Sequence, residues 1–336
     1  MRTNKITIIC LFAALILSSC TGKKKGVFTP TSSGLAYELL VVIEDDMWER
    51  PAGRALFAVL DTDVPGLPQS ERSFRIMNTP EKYYDATLKL LRNIIVVDVN
   101  PKRYTQAKFS VSRDVYASPQ TILTIQAPDE ESMKNHLEQH GQAIIDAFTK
   151  AEMNRQIALL ENQHNDFVST KTKEMFDVEV WVPGELMSFK TGEDFFWAST
   201  NKATADMNFI IYSYPYVDKE TFTEEYLIHK RDSVMKINIP GAREGMYMTT
   251  DTRFVIGTPI VVQKEYAFEL RGLWRVEGDA MGGPFVSHTR LDKKNQRIIT
   301  AEIFIFAPDR LKRNLVRQME ASLYTLRLPS LDEVKE

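Results

Sequence analysis

Three consecutive acids, Glu44-Asp45-Asp46, follow directly on an apolar, strand-like run. Carboxylates at the C-terminal end of a strand are placed to act as general acid and base or to hold a metal. With Asp279, in a glycine-rich turn, they are the set a carboxylate-dependent hydrolase would use. A polar turn after a strand has the same composition, so both readings stand at this point. His136 and His140 in HLEQH are four apart and share one side of a helix, as metal ligands require. Leu137, however, stands where a metalloprotease needs glutamate, and the pair reads as a helix surface. Asp61 and Asp63 suggest a calcium pair, but Pro65 and Arg72 occupy positions that need oxygen ligands. Ser287 and His288 are adjacent on a predicted strand and point to opposite faces, so they are no dyad. The chain contains no G-x-S-x-G elbow, no P-loop and no G-x-G-x-x-G. The expectation is no catalytic residue, no metal and no cofactor.

The residue whose surroundings predict chemistry most directly is Cys20. Arg2 and Lys5 precede an apolar run from Ile6 to Leu17, the layout of a secretory signal. The run is shorter than the roughly 20 residues a membrane-spanning helix needs. Leu17-Ser18-Ser19-Cys20 resembles the lipobox of bacterial lipoproteins, which implies cleavage before Cys20 and acylation of its thiol and amino group. Each buried CH₂ contributes about 0.8 kcal/mol, so several acyl chains hold where one is marginal. The expected partner is therefore the membrane, through lipid on Cys20. The only other cysteine, Cys10, lies inside the segment expected to be removed. That leaves no thiol for a disulfide, a zinc site or a nucleophile.

Of 336 residues, 43% are hydrophobic and 26% charged, which suits one large or two ordinary globular domains. Without Arg2 and Lys5 the balance is 40 basic to 45 acidic residues, which does not favour nucleic acid. Residues 20–34 are rich in Gly, Ser, Thr, Pro and Lys and read as a lipidated tether. Lys23, Lys24 and Lys25 either meet anionic headgroups or belong to a solvated spacer.

The patterning predicts two α+β units, 35–165 and 170–329, with mostly antiparallel sheets, flanking helices and a tail at 330–336. In the first, strands fall near 36–43, 74–77 and 94–99, with a helix after Thr79-Pro80-Glu81 and a hairpin across Phe109 to Ile125. A long helix from Asp129 to about Asn162 is weakened at Gly141. In the second, strands fall near 176–182, 195–200 and 208–214, then a helix near 221–237, a strand-rich stretch and a last helix from Asp309 to Leu326. Arg310, Lys312, Arg313 and Arg317 on that helix read as a solvated face or, alternatively, a partner-binding one. Leu270 to His288 reads as two strands around a turn with three glycines. Trp274, Asp279, Met281 and Phe285 beside that turn form either a structural hairpin or a binding rim.

Ile125 to Asp129 and Ile305 to Asp309 each end a strand and open a helix with Ala-Pro-Asp, 180 residues apart. This suggests a duplicated unit or convergence on a good helix start. The glycine-rich segment, the lipobox and "APDRLKRNLVRQMEA" resemble an uncharacterised lipoprotein family, a domain of unknown function, from Bacteroidetes-type Gram-negative bacteria. The resemblance implies a lipid-anchored protein of the cell envelope, at the outer membrane, and supplies no catalytic residues. The leading expectation is a non-enzymatic protein that binds an envelope protein or a small ligand. The carboxylate-dependent hydrolase is the alternative.

Overall fold

The computed structural model describes residues 29–330; Cys20, the expected signal segment and residues 331–336 lie outside the described residues. The fold is α+β, in two units that each carry one sheet.

The first unit opens with β1 (Glu38–Val42), then the short α1 (Asp45–Glu49), α2 (Pro51–Leu60) and β2 (Arg75–Thr79). β3 (Asn93–Val99), β4 (Lys108–Arg113) and β5 (Thr121–Ala127) complete a sheet of order β2-β1-β3-β5-β4. Its β1–β2, β1–β3 and β3–β5 pairs are parallel, and only the β4–β5 hairpin is antiparallel. The run Ile94 to Val97 suits this place because both faces of β3 are covered. Ile95 joins Leu39, Val41 and Leu123 beneath the helices, while Ile94 joins Leu40, Val42 and Ile122 on the other face. That second face is covered by Tyr84, Leu88 and Leu91. The segment carrying them holds two single 3₁₀ turns, Glu81–Tyr83 and Leu88–Leu90, where the sequence predicts a helix.

α3 (Glu130–His140) starts where Asp129 accepts a hydrogen bond from the Ser132 N–H at 2.8 Å. It passes through Gly141 into α4 (Gln142–Gln163). A Cβ on Gly141 would lie 2.4 Å from the Val59 side chain, so the glycine permits the close approach of α2. Residues 30–33, within the expected tether, already hydrogen-bond to the body: Ser33 N–H to Leu90 O, and Ser118 N–H to Pro30 O, both at 2.8 Å.

The second unit begins with α5 (Asp166–Phe176), capped by Asn165 and ended by Asp177 in the left-handed region. Residues 178–182 are not a ladder strand as the sequence suggests; Glu179 makes a single bridge to Arg327. Val178, Val180 and Val182 nevertheless point into the core, which explains the alternating signal. A seven-stranded antiparallel sheet follows: β6 (Ser188–Gly192), β7 (Phe195–Ser199), β8 (Asp206–Pro215), β9 (Met248–Val262), β10 (Glu265–Val276), β11 (Gly282–Asp292) and β12 (Arg297–Phe306). Its order is β6-β7-β8-β12-β11-β10-β9. α6 (Glu224–Asn238) covers one face and α7 (Arg313–Thr325) the other.

The duplicated-unit expectation does not hold. β3 and β5, which carry the first echo, are parallel neighbours, whereas β8 and β12, which carry the second, are antiparallel. The shared Ala-Pro-Asp marks two independent strand-to-helix turns.

Candidate functional site

The units meet where α4 packs along α7, through a buried cluster of Met153, Leu160 and Ala321 with Ile157 and Tyr324. Beside this contact opens a cleft of about 720 Å³. Ile145, Thr149, Met153 and Ile157 of α4 form one wall, Asp63 and Pro65 the rim, and Arg317, Glu320 and Tyr324 of α7 the opposite side.

Arg317, Glu320 and Tyr324 line this cleft, and elementary spacing places the polar network that backs them. Glu269 and Arg271 are two apart on β10 and so share a face. Glu269 pairs in register with His288 on β11. Arg317 and Glu320 are three apart on α7 and therefore adjacent on the helix surface. Together they form a chain: Arg317 Nη1 donates to Glu320 at 3.4 Å and Arg271 Nη2 donates to Glu320 at 2.5 Å. Arg271 also forks onto Glu269 at 3.1 and 3.2 Å, and Glu269 lies 3.2 Å from His288 Nε2. The His288 ring meets Tyr324 edge-on, with centroids 4.9 Å apart.

Burial alone would raise the pKa of Glu269; the His288 hydrogen bond and the Arg271 charge outweigh it and hold the carboxyl at about 2. Burial likewise opposes the Arg271 charge, but Glu320 and Glu269 overcompensate, so its pKa rises above the usual arginine range. Burial, helped by the Glu320 charge, raises the Tyr324 phenol and keeps it neutral. Glu320, which lines the cleft, and Glu269 behind it are thus both committed to guanidinium groups, and a carboxylate with a pKa near 2, as in Glu269, is a poor base at neutral pH. What the cleft offers is recognition: an apolar wall facing a few fixed polar groups. Two of these, Thr149 Oγ1 and Arg317 Nε, have no hydrogen-bond partner among the described residues.

The structure disperses the residues singled out by sequence. Glu44 accepts from the Glu81 N–H at 3.1 Å; Asp46 accepts from the Met47 N–H at 2.9 Å and pairs with Arg50. Asp45 is exposed, and Asp279 sits on the β10–β11 turn of the other unit, accepting from the Met281 N–H at 3.2 Å. None of these four acids lines the cleft. The hairpin itself is present, but Trp274 and Phe285 are core residues, 3% and 0% exposed. Trp274 Nε1 donates to Ile305 O, and the Arg231 guanidinium lies 4.1 Å above the Phe285 ring. Of the proposed rim only Asp279 and Met281 reach the surface.

The His136 and His140 rings lie 4.6 Å apart; burial and then the His140 charge lower the His136 pKa. Among the described residues no group of three or more His, Cys, Asp or Glu is arranged to hold a metal. Asp61 pairs with Arg72, while Asp63 lines the cleft.

The basic residues near α7 correct the sequence reading most sharply. Arg310 is exposed, but Lys312 and Arg317 are 7% and 8% exposed. α7 is sandwiched between its own sheet and the first unit, with Glu71 of that unit accepting from the backbone N–H groups of Lys312 and Arg313. The cleft and its network were missed because they join residues from separate elements, Arg271 to Glu320 across 49 positions and α4 to α7 across a longer stretch of chain. The only local trace is a charge, Glu320, inside the apolar stripe of α7.

A mixed, largely parallel sheet unit, joined across a cleft backed by a polar network to an antiparallel one, makes this a two-unit α+β protein. Residues 32–161 match the family described as Domain of unknown function (DUF8532), and residues 165–325 match Domain of unknown function (DUF4837). No curated protein matches the chain. Both units are thus similar to uncharacterised domain families, and the two matches meet at the junction of α4 and α5.

Proposed function

We propose that the chain is a lipid-anchored protein of the cell envelope, at the outer membrane, that binds a small ligand or an envelope protein through the inter-unit cleft without catalysing a reaction. The observation that carries the binding reading is the composition of the cleft. Ile145, Met153 and Ile157 face a buried arginine whose Nε lacks a partner, and the neighbouring carboxylates are tied to guanidinium groups. The anchor rests on Leu17-Ser18-Ser19-Cys20 after an apolar run; among the described residues no helix is long and apolar enough to cross a membrane.

The anchor is tested by palmitate labelling and membrane fractionation of Cys20→Ala. The variant is expected to lose label and become extractable without detergent; retention in the membrane would overturn it. The cleft is tested by native mass spectrometry of protein released in mild detergent. A bound small molecule lost in Met153→Arg is the expected result, and a bound species unaffected by that change would move the site elsewhere.

A further inference from the structure

Arg290 on β11 is 2% exposed, yet it lacks what the other deeply buried arginines have. Arg231 pairs with Glu302 at 2.7 Å, Arg271 with Glu320 at 2.5 Å, Arg155 with Glu152 at 2.7 Å and Arg317 with Glu320 at 3.4 Å. Among the described residues Arg290 has no carboxylate within ion-pair distance and makes one side-chain hydrogen bond, from Nη1 to Leu326 O at 2.8 Å. That bond caps the C-terminal end of α7, where a cation is favoured. It uses one of the five N–H donors of the guanidinium, and Nε is buried without a partner. A buried charge compensated this thinly is costly. Burial accordingly lowers the Arg290 pKa.

Arg290 also lines a pocket of about 420 Å³ beyond the end of α7, with Glu265, Lys293, Leu291, Leu328 and Ser330. Lys293 and Glu265 pair with each other at 2.7 Å, which leaves Arg290 as the one uncompensated charge among the described lining residues. Gln263, also in the wall, donates to Tyr324 O at 2.9 Å, so a second carbonyl at the helix end is covered. The pocket thus combines a single net positive charge, free guanidinium donors and apolar side chains from Leu291 and Leu328. We infer that this pocket is a binding site for a monoanionic carboxylate, which completes the Arg290 fork while its hydrocarbon part lies against Leu291 and Leu328. The carboxylate has two sources: a separate molecule, or the acids Asp332 and Glu333 that follow Ser330 by two and three residues in the sequence.

The test is isothermal titration of the full chain with sodium hexanoate, against hexanol and against sodium chloride at equal ionic strength. Saturable binding of hexanoate is expected, with no response to hexanol or chloride. Arg290→Lys keeps the charge but loses the fork, and should weaken binding at least tenfold; Lys293→Met, which leaves the fork in place, should alter it by less. Arg290→Met should abolish it, and if that variant does not fold, the Lys variant decides. Binding confined to an Asp332→Asn/Glu333→Gln variant supports the site and identifies the chain's own acids as its occupant. Absence of saturable binding in both the parent chain and that variant overturns the proposal. So does hexanoate binding unchanged by Arg290→Lys, or an equal response to chloride.

Discussion

Removing the Glu71 carboxylate should loosen the union of the two units. Glu71 belongs to the segment between α2 and β2 in the first unit, is 6% exposed, and accepts from the N–H groups of Lys312 and Arg313 at 2.7 and 2.8 Å. Those groups open α7 in the second unit, whose own N-cap residue, Lys312, provides no side-chain cap. A hydrogen bond to a charged group contributes about 1.5–3 kcal/mol, and a carboxylate at a helix N-terminus adds about 0.3–1 kcal/mol through the dipole. Water can recover part of this at the half-buried Arg313 but less at Lys312. The net cost of Glu71→Ala is therefore about 3 kcal/mol, and that of Glu71→Gln, which keeps one acceptor oxygen, about half as much. Urea unfolding gives the magnitude. Hydrogen exchange gives the place, since amides in the first turn of α7 should lose protection before those of β10 and β11. A Glu71→Ala cost below about 0.5 kcal/mol, or unchanged protection at the start of α7, would refute the reasoning.

Glu269 carries a pH signature. Its folded pKa of about 2 lies below the ordinary 4.5, so its contribution is complete above about pH 4.5 and is lost as pH falls toward 2. The contribution is about 3 kcal/mol, and chemical denaturation at a series of pH values should show it flattened in Glu269→Gln. Arg231 and Glu302, 1% and 0% exposed, form a two-bond fork at 2.8 and 2.7 Å within the second unit. Glu302→Gln alone should cost about 3–5 kcal/mol, whereas Arg231→Met/Glu302→Leu should recover most of it; a double-variant loss as large as the sum of the two single losses would show that the pair is not coupled.

Much of the fold was legible where local signals agree with burial. The β-branched run of β3, the β4–β5 hairpin and the break at Gly141 all lie where the patterning puts them. Strand order was not legible, because the apolar run of a covered parallel strand does not say which neighbour it has. The turn glycines show another limit. Gly278, with φ of +83°, serves the turn as expected. Gly283 does not: it lies in β11, where a Cβ would come 2.0 Å from Ile305 O, and it exists to let strands and Trp274 close together. A glycine read as loop freedom was thus a packing requirement. The candidate site was the least legible part, since Arg317 looks like a solvated arginine until β10 brings Arg271 to the other side of Glu320.

The backbone bonds of residues 30–33 set the length of the leash on the proposed lipid anchor. From Cys20 to Thr31, where the chain bridges to Ser118, there are eleven residues. Even fully extended they reach about 40 Å. The body would therefore ride within about one domain's width of the headgroups. Tension on the anchor would arrive at the turn between β4 and β5, in the first unit.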